Sequence, residues 1–235
     1  MEDMRKCLQI KISPSMATFK SFQRKDTICG QEHVFLAVMQ RQSMHQAIFD
    51  LKPNQGVIIA DFKENFHMEY NRDQESQEFF HQNPVTCLSF VTHIMTSESK
   101  HIKTVFTILS KCLSHNAQFV IRALKRVLRE PEFIGLTHLH WWSDGAGHFK
   151  NLALLQVLQE TNEGQRLLSN CDIEVSIFCA AYGKSECDSC FGYFSRLLKQ
   201  CITIEGIKSL NDLVSFFQDE TSSIQGSSSK SDTYY

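Results

Sequence analysis

The run "VIIAD", Val57 to Asp61, constrains the fold more than any other stretch, because its four leading residues are all apolar and leave no polar face to turn toward water. A run of this kind is a strand covered on both sides, and helices layered over a sheet supply that cover. The segment before it, about Gln31 to Leu51, has helical apolar spacing without an internal Gly or Pro, and "KPNQG" stops it. The chain therefore begins as a helix leading into a buried central strand.

The segments that follow supply partners for that strand. Pro84 to Ile94 and Ile102 to Leu109 alternate as strands around the polar connection "MTSESKH", which predicts an antiparallel pair. "NAQFVIRALKRVLRE" places Phe119, Val120, Ala123, Leu124, Val127 and Leu128 on one helical stripe, with Ser114 or Asn116 available as a cap. "GLTHLHWWS" reads as a strand with Trp141 and Trp142 in the core on opposite faces, "HFKNLALLQVLQE" as a helix, and Asp172 to Ala180 as a further strand. In "CDSCFGYFSRLLKQ", Cys187, Cys190, Phe191, Phe194, Leu197 and Leu198 share a stripe, so both thiols of the Cys-x-x-Cys belong to a buried helix face. A zinc site would need four ligands, and no second pair stands near. A last short helix spans about Lys208 to Gln218.

A hairpin followed by alternating helices and strands predicts an α/β chain with a mixed sheet flanked by helices. Right-handed crossovers set the later strands parallel to the first. The boundaries expected are a helical extension over 1–55, the α/β core over 56–218, and a disordered, Ser-rich tail over 219–235.

A chain of 235 residues, 42% of them hydrophobic, can bury such a core. The net charge of −2 excludes a surface built throughout to grip phosphates, and the cations of Arg122 to Arg129 read as the solvated face of their helix. Nine Cys without a framework spacing, no secretory leader and no apolar window of membrane length predict an intracellular protein with free thiols.

Ligands of such sheets gather at the carboxyl ends of the parallel strands. Two acids are expected there: Asp61 closes "VIIAD" and Asp144 closes "HWWSD", a strand spacing of roughly 5 Å apart if their strands are neighbours. Carboxylates so close either share a proton or hold a cation, and Mg²⁺ or Mn²⁺ between oxygen ligands implies phosphodiester chemistry. A third acid comes from "GKSECD": Asp188, in the first turn of the last strong helix, with Glu186 in reserve. His138, His140 and His148 surround the second acid and read as surface or satisfied core residues.

Three blocks, "DFKENF" (Asp61 to Phe66), "SDGAGHFKN" (Ser143 to Asn151) and "GKSECD" (Gly183 to Asp188), resemble the DFxEN, SDGxxxxFKN and GKxxCD blocks of a group of DNA-transposon-encoded transposases. The resemblance spans Gly56 to Lys199. It implies an RNase H-like fold of the DDE/DDD superfamily, in which Asp61, Asp144 and Asp188 bind Mg²⁺ or Mn²⁺ for DNA strand cleavage and joining. Glu64, Asn65, Lys150, Asn151, Lys184 and Glu186 are then supporting residues that orient ligands or meet the phosphate backbone. DNA is the partner implied, with a nuclear location in a eukaryote, no membrane, and a homo-oligomer allowed. Tyr182 and Ser189 depart from the third block, where the group has His and Gly; Lys111 and Asn116 stand where the group has acids after its third strand. These departures support an alternative: a catalytically inactive or domesticated transposase-derived module that binds DNA or protein on the same scaffold.

Overall fold

The computed structural model describes residues 28–68, 83–160, 162, 164–179, 186–201, 207, 209–224 and 233–234. Helix α1 (Ile28–Phe49) leads into a sheet built from β1 (Gln55–Met68), β2 (Asn83–Met95), β3 (His101–Ser110), β4 (His138–Ser143) and β5 (Asp172–Ile177). Helices α2 (Ala117–Val127), α3 (Leu152–Leu158), α4 (Glu186–Cys201) and α5 (Leu210–Ile224) cover it, and a two-residue strand, β6 (Thr233–Tyr234), joins one edge. The strand order is β5-β4-β1-β2-β3-β6. β1, β2 and β3 form an antiparallel meander, while β4 and β5 continue parallel to β1 on its other side. The expected α/β class with a mixed sheet flanked by helices holds.

The apolar run builds the centre as its composition demands. Ile58 and Ile59 are fully buried, each worth on the order of 1.5–3 kcal/mol of burial, and successive residues feed opposite faces. Ile58 joins the core under α2 and α3 with Leu124, Trp141 and Phe149. Val57 and Ile59 join the core under α4 and α5 with Trp142, Phe194 and Val214. Trp141 and Trp142 thus occupy the two faces as expected. Helix α2 is capped by Asn116, whose side chain accepts a hydrogen bond from the Phe119 amide at 2.9 Å.

Two boundaries differ from expectation. β1 does not close at Asp61 but runs on to Met68. The polar sequence "DFKENFHM" carries no strand pattern of its own; it is held extended by β2, from Asp61↔Ser89 to Met68↔Asn83, with a register shift between Lys63 and Phe66. Helix α5 continues past Gln218 to Ile224, and Thr233 and Tyr234 pair with Thr107 and Ile108 at the edge of β3, so the polar segment expected from Asp219 onward contains regular structure. Its apolar anchors, Leu213, Val214 and Phe217, lie earlier in α5 and carry the helix beyond the last hydrophobic turn.

Helix α1 lies on the α4 side of the sheet. Met44 is buried there, and the Gln40 side chain donates to the Ile177 carbonyl at 3.0 Å and accepts from the Cys179 amide at 2.8 Å. No helix among the described residues is long and apolar enough to cross a membrane.

Candidate functional site

The register of β1 against β4 brings the first two acids together. The parallel ladder ends at Ala60↔Ser143, so Asp61 and Asp144 are the next residues on adjacent chains at the carboxyl end of the ladder. Although β1 continues, its β4 side stops at this point, and the expected edge location is kept by only one of the two ladders. Asp61 shares its sheet face with Val57 and Ile59, the face that α4 covers.

Asp61 is half-buried, and its carboxyl is pushed up to about 7. Burial is the largest cause, the charges of Asp144 and then Asp188 add to it, and a hydrogen bond from the Phe62 backbone offsets part of it. Asp144 and Asp188, the other two acids that the sequence singled out, thus both act on Asp61.

Asp144 sits at the start of a tight loop. Its Oδ1 accepts a hydrogen bond from the Ala146 amide at 3.0 Å, a local turn that the residue type favours. Gly145 lies at a close approach: a Cβ there would stand 3.2 Å from the Phe178 carbonyl oxygen, so a larger residue would need the neighbouring backbone to give by a few tenths of an ångström. Buried Phe149 anchors the loop beside Trp141, with ring centroids 6.1 Å apart. Asn151 then caps α3 by accepting from the Ala153 amide at 3.0 Å, so its side-chain oxygen serves the helix, and Lys150 beside it is exposed.

The two acids of α4 part company. Asp188 is exposed in the first turn and its charge reaches Asp61. Glu186 turns to the hairpin strands: its Oε2 meets His93 Nε2 at 3.1 Å and pairs with Lys103 Nζ. Hydrogen bonding from His93 chiefly, with Lys103, holds the Glu186 carboxyl down at about 2 against the opposing effect of burial. Of the remaining supporting candidates, Glu64 and Asn65 lie in β1 at the register shift, with side chains outside the described residues. Lys184 lies outside the described residues altogether.

The histidines divide in the same way. His138 and His140 sit toward the start of the β4 ladder, where His140 Nε2 meets Ser176 Oγ at 2.9 Å and Glu174 faces both rings at 3.7 and 3.9 Å. Burial pushes His140 down to about 4, so it is a neutral, satisfied residue remote from the acids. His148 stands over Phe62, ring centroids 4.6 Å apart, with a buried Nε2 that has no hydrogen-bond partner. Burial lowers its pKa while Asp144 raises it. The sequence reading missed the His93–Lys103 pair that receives Glu186; the alternation in "VTHI" and "IKTV" puts both on the α4 face and was the available clue.

All three acids offer hard oxygen donors, the chemistry that Mg²⁺ or Mn²⁺ prefers. Among the described residues, no three His, Cys, Asp or Glu side chains form a group that could hold a metal ion as they stand.

A family model, that of a domain of unknown function (DUF8701), matches residues 40–234, and the chain belongs to that family. No curated protein matches it. Among solved structures, the QDE-2 AGO MID-PIWI domains of N. crassa align at 10% identity and a TM-score of 0.28, over 75% of this chain and 52% of that one. The chain spans about half the length of that structure. A likeness of this size says nothing of function.

Proposed function

We propose that this DUF8701 domain is transposase-related and cleaves and joins DNA strands with Mg²⁺ or Mn²⁺ held by Asp61, Asp144 and Asp188. The observation that carries the reading is the β1–β4 register, which sets Asp61 and Asp144 side by side at the carboxyl end of the ladder; burial there, with the charges of Asp144 and Asp188, raises the Asp61 carboxyl, and a divalent cation would offset that repulsion. Such an ion supplies Lewis acidity and an activated water for attack at phosphorus. The protein's part is to place the acids. Asp61 is held by a strand paired on both sides up to its own position, Asp144 by the Asx turn and the Phe149 anchor, and Asp188 by the first turn of α4. Asp61 must give up its proton before it can act as a ligand, and exposed Lys150 next to the Asp144 loop is available to a phosphate backbone.

The test is nicking of supercoiled DNA with Mn²⁺ by wild type, Asp61→Asn and Asp144→Asn. Activity should drop to background in both variants, and equal activity in all three rejects the reading. A second reading, a silent binding module on this scaffold, is favoured by the Asp144 Oδ1 already committed to the Ala146 amide. A thermal-shift titration with Mn²⁺ separates the two: a working site gains stability on filling, by an amount lost in Asp61→Asn, and a silent one shows no response that depends on the aspartates.

A further inference from the structure

Two consecutive residues dock the first turn of α4 onto the sheet, and a third extends from it. Glu186 reaches His93 on β2 and Lys103 on β3. Cys187 is fully buried, and its Sγ lies 3.4 Å from the Ile59 carbonyl oxygen and 3.7 Å from that of Ser89. Asp188 is exposed and its charge acts on Asp61. Adjacent residues of an α-helix are rotated by about 100°, so the three side chains fan out from one turn. One goes to the hairpin, one down onto the sheet, and one stays exposed at the helix start, where its charge is felt by Asp61.

The hairpin end of this fan is itself built rigidly. His93 is 4% exposed, and Lys103 stands directly opposite it in the β2–β3 register. The His93 ring is engaged on both nitrogens, Nε2 by Glu186 and Nδ1 by His101 Nε2 at 3.2 Å, and the two imidazoles stack at 13°. A carboxylate held by a buried ring and an ammonium has little freedom to rotate, and neither has the turn that bears it.

We propose that Glu186, gripped by His93 and Lys103, is a positioning residue that sets the first turn of α4 and thereby the place of Asp188 relative to Asp61 and Asp144. It is not an alternative ligand. The inference rests on the reading of the acids as a cation site, but the grip on α4 can be measured without it. Partners that orient metal ligands are worth roughly 10- to 100-fold in metal affinity, and Glu186 acts here through the helix rather than through a direct bond.

The experiment compares wild type, Glu186→Gln, Lys103→Met and the reversed pair Glu186→Lys with Lys103→Glu. Two quantities are read: amide hydrogen exchange over 190–194, and the Mn²⁺ concentration at half-maximal thermal shift. Glu186→Gln should speed exchange in that turn and raise the Mn²⁺ midpoint about tenfold. Lys103→Met, at a half-exposed position, should do the same to a lesser degree, and the reversed pair should move both quantities back toward wild type. Unchanged exchange in Glu186→Gln and Lys103→Met overturns the proposal, as does faster exchange with an unmoved Mn²⁺ midpoint. A wild type that shows no Mn²⁺ response removes the cation site instead, and the exchange arm alone then upholds or overturns the grip on α4.

Discussion

Asp61 and Glu186 are both partly buried carboxyls on the α4 side of the sheet, and their surroundings drive them in opposite directions. Burial first, then the charges of Asp144 and Asp188, pushes Asp61 up to about 7, whereas Glu186 faces an imidazole and an ammonium and is held at about 2. Glu186 meets two basic partners, whereas Asp61 is buried beside Asp144 and feels the charge of Asp188.

The strongest way to break this contrast is Asp61→Asn. Folded Asp61 keeps its proton up to about 7 while an unfolded Asp releases it near 3.8, so the native state binds more protons between these values and stability falls as pH rises through that window. At about 1.4 kcal/mol per pKa unit, removing the charge should stabilise the cation-free protein at pH 8 by about 2–4 kcal/mol. The gain should vanish below pH 4. Urea denaturation at the two pH values checks it, and no gain at pH 8 would show that the edge is not charge-frustrated.

Metal affinity should follow the same group with the opposite sign. Below pH 7 each Mn²⁺ bound must displace the Asp61 proton, so affinity should fall by about tenfold per pH unit on acidification. Calorimetry between pH 5.5 and 8 reads this directly, and a flat profile would take Asp61 out of the ligand set.

Glu186→Gln tests the other side. Its lowered pKa contributes stability that is complete above about 4.5 and disappears as pH falls toward 2, so the variant should be destabilised at pH 7 and approach wild type in acid. The pair is partly open to water, Lys103 being 49% exposed, so about 1 kcal/mol is expected. The smallest effect is that of salt: raising NaCl from 0.05 to 0.5 M should narrow the Glu186→Gln difference by a few tenths of a kcal/mol through screening.

Much of the architecture was legible because it depends on local pattern. "VIIA" has no polar face, the stripe of α2 repeats at helical spacing, and the two adjacent tryptophans must point to opposite sides of a strand. The far end of β1 was not legible, because "DFKENFHM" is extended by its antiparallel pairing with β2 rather than by any periodicity of its own. Neither was the continuation of α5 past Gln218, which polar residues carry after the apolar anchors have docked. In the candidate site, Asp61, Asp144 and Asp188 were visible as acids following strands or opening a helix. Asn151 was visible only as a supporting residue, and its work as the cap of α3 comes out of the backbone geometry.

The sequence by itself determined which segments could be strands and helices and which faces they bury, since these follow from side-chain type and spacing along a short piece of chain; that Asp61 lies at the end of one ladder but inside the other was set by strand pairing. Only the tertiary structure decided between Glu186 and Asp188. Two residues on one helical turn point different ways, and what each meets depends on strand register and helix placement over long separations: His93 and Lys103 for the one, the charge of Asp61 for the other.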